Sequence, residues 1–376
     1  MQSCFGVRRR SRDRRSEARH RGSPMEPSHF IVGPDDPILV TGATGFIGPA
    51  VVRSLLTHGF RNVRAFARPS SDATRLDAIV RCRPDEARVE VIRGNLLSPQ
   101  DCMMATSDVA VIFHLAMGGR KSFPDAVMNS VVTTRNLLES SLRYARVRRF
   151  VNVSSLVVYT NMSKPRGRLL DESAPVEDHA ASRADPYGFA KIKQDEIVRE
   201  YGKTFGLPYV IVRPGYVYGP GRDAISARVG IGTFGVFLHL GGSNLVPVTY
   251  VDNCADAIVL AGLTRGVDGE VFNVIDDDLP SSRQLLRLYK RHVRRFSSIY
   301  VPHAVSYALC WAWERYSRWS EGQLPPVLNR KRWHRDWKMT RYSNEKAKTR
   351  LGWTPTVPLS EGLSRSFQGG RDGRRA

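Results

Sequence analysis

Tyr187 and Lys191 stand four residues apart in DPYGFAKIK, residues 185–193. Asp185 suits the N-cap of a helix and Pro186 its first turn, so the spacing sets the phenol and the ammonium one turn apart on one face. Alone, such a pair is ordinarily an exposed aromatic–lysine contact. It can also handle protons: a phenol near its usual pKa of about 10 is a poor base at neutral pH, and an adjacent cation favours its phenolate. Upstream, in ILVTGATGFIG at 38–48, Gly42, Gly45 and Gly48 recur every third position where an apolar strand gives way to a helix. Glycine there allows a tight turn and lets backbone N–H groups approach a pyrophosphate, with the helix N-terminus adding partial positive charge. A plain strand-to-helix turn would explain one or two of these glycines. Three at this spacing, in the first βα unit, point to dinucleotide binding.

The elements that must position these groups are readable as an alternation. Apolar, β-rich runs at 38–42, 63–67, 89–92, 109–116, 150–155 and 209–214 are separated by helical patterns at 46–57, 124–145 and 187–205. Nearly all-apolar strands alternating with helices predict an α/β fold, a parallel sheet covered on both faces. Past residue 215 the rhythm breaks into Gly-rich loops, and LVPVTYVD and GEVFNV are expected to return to the sheet. The chain therefore reads as a cofactor domain over 36–215 and a smaller substrate lobe over 216–365. Residues 1–30 and 366–376 read as disordered extensions, and no internal repeat is visible.

Several motifs, taken in order, resemble the extended branch of the short-chain dehydrogenase/reductase superfamily, that of the epimerases and dehydratases. They are TGATGFIG (41–48), GNLLSP (94–99), HLA (114–116), VSSLVVY (153–159), YGFAK (187–191), RPGYVYGPG (213–221), VTYVDNCADAI (248–258), GEVFNV (269–274) and LGWTP (351–355). The resemblance spans residues 38–365. It implies a Rossmann-type doubly wound sheet and NAD(P), with Tyr187, Lys191 and Ser155 catalytic and Ser154 a competitor for the serine's role. The cofactor-binding set it implies is Gly42, Thr44, Gly45, Phe46, Ile47, Gly48, Arg68, Asn95, Leu96, Leu115, Ala116, Tyr187, Lys191 and Pro214. In such proteins Tyr exchanges a proton with the substrate oxygen, Lys holds the nicotinamide ribose, and Ser steadies the charge on that oxygen. An acidic residue at the end of the second strand suits NAD, whereas Arg suits the 2′-phosphate of NADP. Here AFARPSSD sets Arg68, Ser70 and Ser71 near that position, which favours NADP; the alternative is a solvated Arg68 with Asp72 serving NAD. Asn95 stands where the family usually has Asp, and Ser130 where it has Asn. His114 reads either as part of a cofactor-lining loop or as a buried, satisfied histidine, and Asp252 as the cap of the next helix.

Composition narrows the rest. Of the residues, 41% are hydrophobic and 25% charged, and no uninterrupted apolar run is long enough to span a bilayer. The five cysteines are scattered, without the pairing that zinc or a disulfide framework needs, so a reducing cytoplasm is the expected compartment and no metal is expected. The net charge of +21 is unevenly placed. Residues 1–22 carry eight Arg against Asp13 and Glu17, and residues 283–350 carry 17 Lys and Arg against four acids. The stretch between them is neutral, so no specific nucleic-acid partner is expected. The Arg-rich opening lacks the apolar segment of a secretory signal; a transit peptide, a nucleic-acid arm or a true start at Met25 are the alternatives to a disordered leader.

In the basic C-terminal part, Val305, Leu309, Ala312, Tyr316 and Trp319 share one helix face, widened by Tyr307, Trp311 and Trp313. Such a stripe is most often the core seam of a small lobe. It would equally suit a peripheral membrane contact, with cations facing anionic lipid, or a lid over a bulky substrate. KMTRYSNEKAKTRLGWTPTVPLSEGL resembles the C-terminal end of extended-branch enzymes, 3β-hydroxysteroid dehydrogenases included. Three functions follow: hydride transfer at a secondary alcohol or ketone of a nucleotide-activated sugar, the same chemistry on a lipidic alcohol at a membrane, or dinucleotide sensing without turnover. A homodimer paired through the helices beside the site is common among proteins that look like this.

Overall fold

The computed structural model describes residues 29–372, apart from 119–121, 145, 163–164, 184, 223, 234, 322 and 324–327. The Arg-rich segment 1–22 lies outside the described residues.

The first half alternates as expected: β1 (Ile38–Thr41), α1 (Gly48–Thr57), β2 (Asn62–Ala67), α2 (Thr74–Arg81), β3 (Arg88–Arg93), α3 (Pro99–Thr106), β4 (Val111–His114), α4 (Phe123–Ala126), α5 (Thr133–Tyr144) and β5 (Arg149–Val153). Between α4 and α5 the helix runs on through a π-turn, Val127–Val132. A short β6 (Leu169–Leu170) precedes α6 (Pro186–Phe205) and β7 (Tyr209–Pro214). The second half holds β8 (Tyr216–Tyr218), β9 (Gly230–Thr233), β10 (Val236–His239), β11 (Val248–Tyr250), α7 (Val251–Leu263), β12 (Val271–Val274), α8 (Ser282–His292), β13 (Ser298–Tyr300), α9 (His303–Trp319), α10 (Arg330–Asp336), β14 (Arg341–Tyr342), α11 (Glu345–Leu351) and α12 (Leu359–Asp372).

Seven strands form one parallel sheet in the order β12-β7-β5-β4-β1-β2-β3. The inner strands β1, β4 and β5 are buried throughout, as their continuous apolar runs require, whereas the edge strand β3 interleaves Arg88, Glu90 and Arg93 and is half-exposed. One core, containing Val40, Val51, Phe113 and Ile258, lies under α1 and α7. A second, containing Leu39, Cys102, Leu137, Phe150 and Val198, lies under α3, α5 and α6. The strand order reverses between β1 and β4, and in such sheets ligands bind beyond the carboxyl ends of the strands at that point.

Three boundaries depart from the sequence reading. GEVFNV joins the main sheet as β12, but LVPVTYVD does not: its three-residue β11 pairs only with β8, beyond the sheet. Phe30, expected in a disordered leader, is buried against the first core, and the next residue's amide donates to the Leu263 carbonyl. The tail expected from 366 is helical to Asp372, because Ser366 and Phe367 are buried on the inner side of α12. Among the described residues no helix is long and apolar enough to cross a membrane.

Candidate active site

The glycine turn between β1 and α1 forms one wall of a cleft of about 460 Å³. Gly42 has a φ of 69°, the left-handed region, and the Gly45 amide donates to its carbonyl at 2.9 Å. A Cβ on Gly42 would lie 2.8 Å from the Ala116 nitrogen, and one on Gly48 would lie 2.3 Å from the Gly42 oxygen. The chain can pass so close to itself only without side chains there. Helix α1 starts without a side-chain cap, so nothing of that kind competes for its first N–H groups. This uncapped, glycine-rich turn fits the pyrophosphate of a dinucleotide.

The residues expected to be catalytic line the same cleft. Tyr187, Lys191, Ser154, Ser155 and Pro214 all do so, together with Gly42, Gly45, Phe46, Ile47, Gly48 and Leu115. Pro186 opens α6, and Asp185 takes the N-cap position as expected, yet its side chain makes no cap bond; the carboxylate pairs instead with Arg335. Lys191 is only 4% exposed, and its Nζ donates to the Val153 carbonyl at 2.7 Å and to Gln194 Oε1 at 3.0 Å. Both anchors sit under the cleft floor, one at the end of β5 and one on the next turn of α6. Ser155 Oγ accepts from the Val157 amide at 3.3 Å, capping a short 3-10 turn. Ser154 is 3% exposed, and its Oγ has no hydrogen-bond partner within the protein. A buried hydroxyl without a partner costs free energy, so one in a cleft wall is poised to bond a ligand.

Five of the expected cofactor residues do not line the cleft: Thr44, Arg68, Asn95, Leu96 and Ala116. Leu96 is buried in the second core, and its carbonyl accepts from Asn136 Nδ2 at 3.0 Å. Asn95 closes its own turn, Oδ1 accepting from the Leu97 amide at 3.0 Å. Ala116 donates its amide to Thr41 Oγ1 at 3.4 Å. Arg68 is exposed beyond the end of β2. Asp72, the NAD alternative, accepts from the amide and hydroxyl of Thr74 at 2.9 and 2.6 Å, and those bonds hold its carboxyl below the usual range.

His114 is the buried, satisfied histidine. Its Nδ1 bonds Thr41 Oγ1 at 2.8 Å and its Nε2 bonds Thr134 Oγ1 at 2.9 Å. Burial, reinforced by the nearby Lys191 cation, pushes the ring's pKa down to about 3. Ser130, in the π-turn, donates to the Gly118 carbonyl at 2.8 Å and so ties that helix to the loop after β4. Asp252 does not cap α7; it lies in the first turn and pairs with Arg53.

Motif reading missed a charged part of the cleft. Arg222, Arg228, Arg335, Asp185 and Asp336 line it. Arg222 lies over the rings of Phe46 and Tyr216, 5.3 and 5.1 Å from their centroids. Arg228 donates from Nη1 to the Arg335 carbonyl at 2.8 Å and to the Tyr342 hydroxyl at 2.9 Å. Arg335 grips Asp336 through two bonds, at 2.9 and 2.8 Å, while also pairing with Asp185. No spacing rule announces this cluster, because α10 reaches α6 only through tertiary packing. Among the described residues no group of His, Cys, Asp and Glu could hold a metal.

Known proteins are similar to this chain in sequence and fold. A UDP-glucose 4-epimerase from Mycolicibacterium smegmatis is 27% identical over 347 residues, covering 88% of this chain and 97% of that protein. A 2-alkyl-3-oxoalkanoate reductase from Stenotrophomonas maltophilia is 28% identical over 345 residues, covering 87% and 97%. The crystal structure of a UDP-glucuronic acid 4-epimerase from Bacillus cereus, in complex with UDP-glucuronic acid and NAD, has the same fold. Its TM-score is 0.66 at 24% identity, over 89% of this chain and 99% of that one. Residues 38–274, from β1 to the end of β12, match the family described as NAD dependent epimerase/dehydratase. The chain belongs to that family and is an NAD(P)-dependent enzyme of the extended short-chain dehydrogenase/reductase type.

Proposed function

We propose that the enzyme oxidises or reduces a secondary alcohol or ketone of a nucleotide-activated sugar, using residues 36–215 for the cofactor and residues 216–365 for the sugar nucleotide. One observation carries this reading: the glycine turn, the serines after β5 and the Tyr187–Lys191 face converge on one cleft that Arg222, Arg228 and Arg335 also line. NAD(P), when bound, supplies hydride exchange at the substrate carbon. The N–H groups of the glycine turn hold its pyrophosphate, and Lys191, fixed by Val153 and Gln194, holds the nicotinamide ribose. Tyr187 would move a proton to or from the substrate oxygen. Ser155, whose hydroxyl hydrogen is not used by its contact with Val157, donates to that oxygen as charge builds, and Ser154 supplies a second hydroxyl beside it. The arginines suit the phosphates of a sugar nucleotide, since guanidinium groups bond such oxygens in pairs.

NADP is the preferred cofactor in this proposal. Arg68 is exposed just beyond the end of β2, and the Asp72 carboxylate is engaged by Thr74. The enzyme works in the cytoplasm as a homodimer paired through α5 and α6, whose C-terminal turns leave Leu142, Tyr144 and Phe205 exposed. A second reading, a lipidic alcohol or ketone as substrate, is favoured by the likeness to a protein named as an alkyl-oxoalkanoate reductase.

Titrating NADP and NAD, then screening nucleotide sugars, steroids and 3-oxoalkanoates for a change in cofactor absorbance, tests the reading. Turnover of a nucleotide sugar supports it, and turnover only of the lipidic compounds replaces it with the second reading. Tyr187→Phe should lower turnover by about 10²–10⁴-fold with cofactor affinity retained. A dinucleotide sensor would be indifferent to that change.

A further inference from the structure

Helix α9 is packed inside out. The residues it buries are Ser306, Cys310 and Ser317, and Ser306 Oγ accepts from the Trp333 indole at 2.9 Å. Its apolar stripe, expected to be the core seam of the lobe, faces away from the body: Leu309 is 56% exposed and Trp319 77%, with Val305, Trp311 and Tyr316 also exposed. Ile299 on the preceding β13 extends the same exposure. A surface this apolar, held on a rigid helix about 26 Å long, has no structural use for a body in water.

We propose that this face of α9 docks on an anionic lipid surface, the helix lying in the plane of the headgroups. The choice of occupant follows from charge. Arg315 and Arg318 sit within the exposed arc, and Arg283 stacks on Tyr300 at 5.7 Å, just before the helix. Residues 283–350 hold 17 cations and four acids, and two of those acids are neutralised internally, Glu314 by Arg330 and Arg318, and Asp336 by Arg335. A second copy pairing through this face would bring two strongly cationic segments together, whereas protein interface cores are depleted of charge. An anionic leaflet complements both features: indole and aliphatic groups enter the headgroup boundary and the arginines meet the phosphates. No described helix crosses a membrane, so the contact is peripheral. The inference does not depend on the chemistry proposed for the cleft.

The test uses the full chain with phosphatidylcholine vesicles, with and without phosphatidylglycerol. Sedimentation with the anionic vesicles and quenching of tryptophan fluorescence by brominated lipid are expected. The double variant Leu309→Ser, Trp319→Ser should weaken partitioning about tenfold or more, with thermal stability and turnover unchanged because both side chains are exposed. Indifference of the wild-type protein to anionic vesicles overturns the proposal. So does equal binding by the double variant, which would assign the affinity to the eight arginines of residues 1–22. A lipid-free dimer that the double variant converts to monomer also overturns it, by giving the face to another copy.

Discussion

The Lys191 ammonium is aimed by acceptors that no motif reveals. Gln194, fully buried, receives it at Oε1 and donates from Nε2 to Thr134 Oγ1 at 2.7 Å, so the amide can present only one orientation. Replacing Gln194 with Leu would leave the buried cation one acceptor short, although Thr134 keeps its bonds to His114 and to the Ser130 carbonyl. A stability loss of about 1–3 kcal/mol is expected in denaturant unfolding. The same variant should bind cofactor more weakly and shift the pH–rate profile; a merely structural role would lower stability and leave that profile in place. Tyr187 and Lys191 were legible because helical periodicity alone puts them on one face. The contrast between the two serines was not, since Ser154 and Ser155 are neighbours in one strand end, and only the fold shows which hydroxyl caps a turn and which has no partner.

At the scale of the element, α6 is a platform whose inner face continues past the reacting pair to Asp195. This carboxylate accepts from Arg213 on β7 at 2.9 Å and from Asn152 on β5 at 2.8 Å, all three side chains being buried, and Arg213 lies 4.6 Å from the Tyr159 ring. The pair thus clamps α6 across two central strands. Arg213→Leu would leave Asp195 charged and uncompensated in the interior, at a cost of about 3–5 kcal/mol, whereas the double replacement Arg213→Leu, Asp195→Leu should recover much of that loss. A double-mutant cycle in urea measures it; equal losses from single and double variants would deny the clamp. The strands and this helix were readable from apolar runs and from Pro186. Two things were not. The π-turn depends on Ser130 and its neighbours fitting the loop after β4, which is a tertiary demand. The outward face of α9 has the same periodicity as a core seam, and periodicity gives a stripe without saying which side of it is wet.

Over the whole molecule, two buried groups set opposite pH dependences. The His114 ring is neutral in the folded protein, with a pKa of about 3, and would charge near 6.5 when unfolded, so its contribution to stability is lost as pH falls below 6.5. Asp276 behaves in reverse: burial raises its carboxyl to about 6 against the hydrogen bonds it accepts, so its contribution is present at low pH and lost as pH rises towards 6. Between about pH 4 and 6 the two slopes oppose each other. Relative to the wild-type protein, His114→Gln should therefore gain stability as pH falls through that window and Asp276→Asn should lose it, each by up to about 1.4 kcal/mol per pH unit. Unfolding free energies at several pH values decide it, and parallel curves for all three proteins would refute the assignment.

Arg335 joins the cleft's two sides at the same scale. It carries charge from α10 into the first turn of α6, where Asp185 and Asp336 converge on it. Burial would push the Asp336 carboxyl up, but Arg335 overrides this and holds it at about 2. Arg335→Met would leave the Asp185 and Asp336 carboxylates without their shared cation, while the glycine turn keeps its own backbone bond. If the substrate is the proposed sugar nucleotide, the expected result is a KM for it raised by about tenfold or more, with cofactor affinity within about twofold, because one lost guanidinium contact to an oxyanion is worth about 1.5–3 kcal/mol. Separate titrations of cofactor and substrate measure the split. Equal losses in both would mean that Arg335 holds the whole cleft open and does not selectively shape its substrate half.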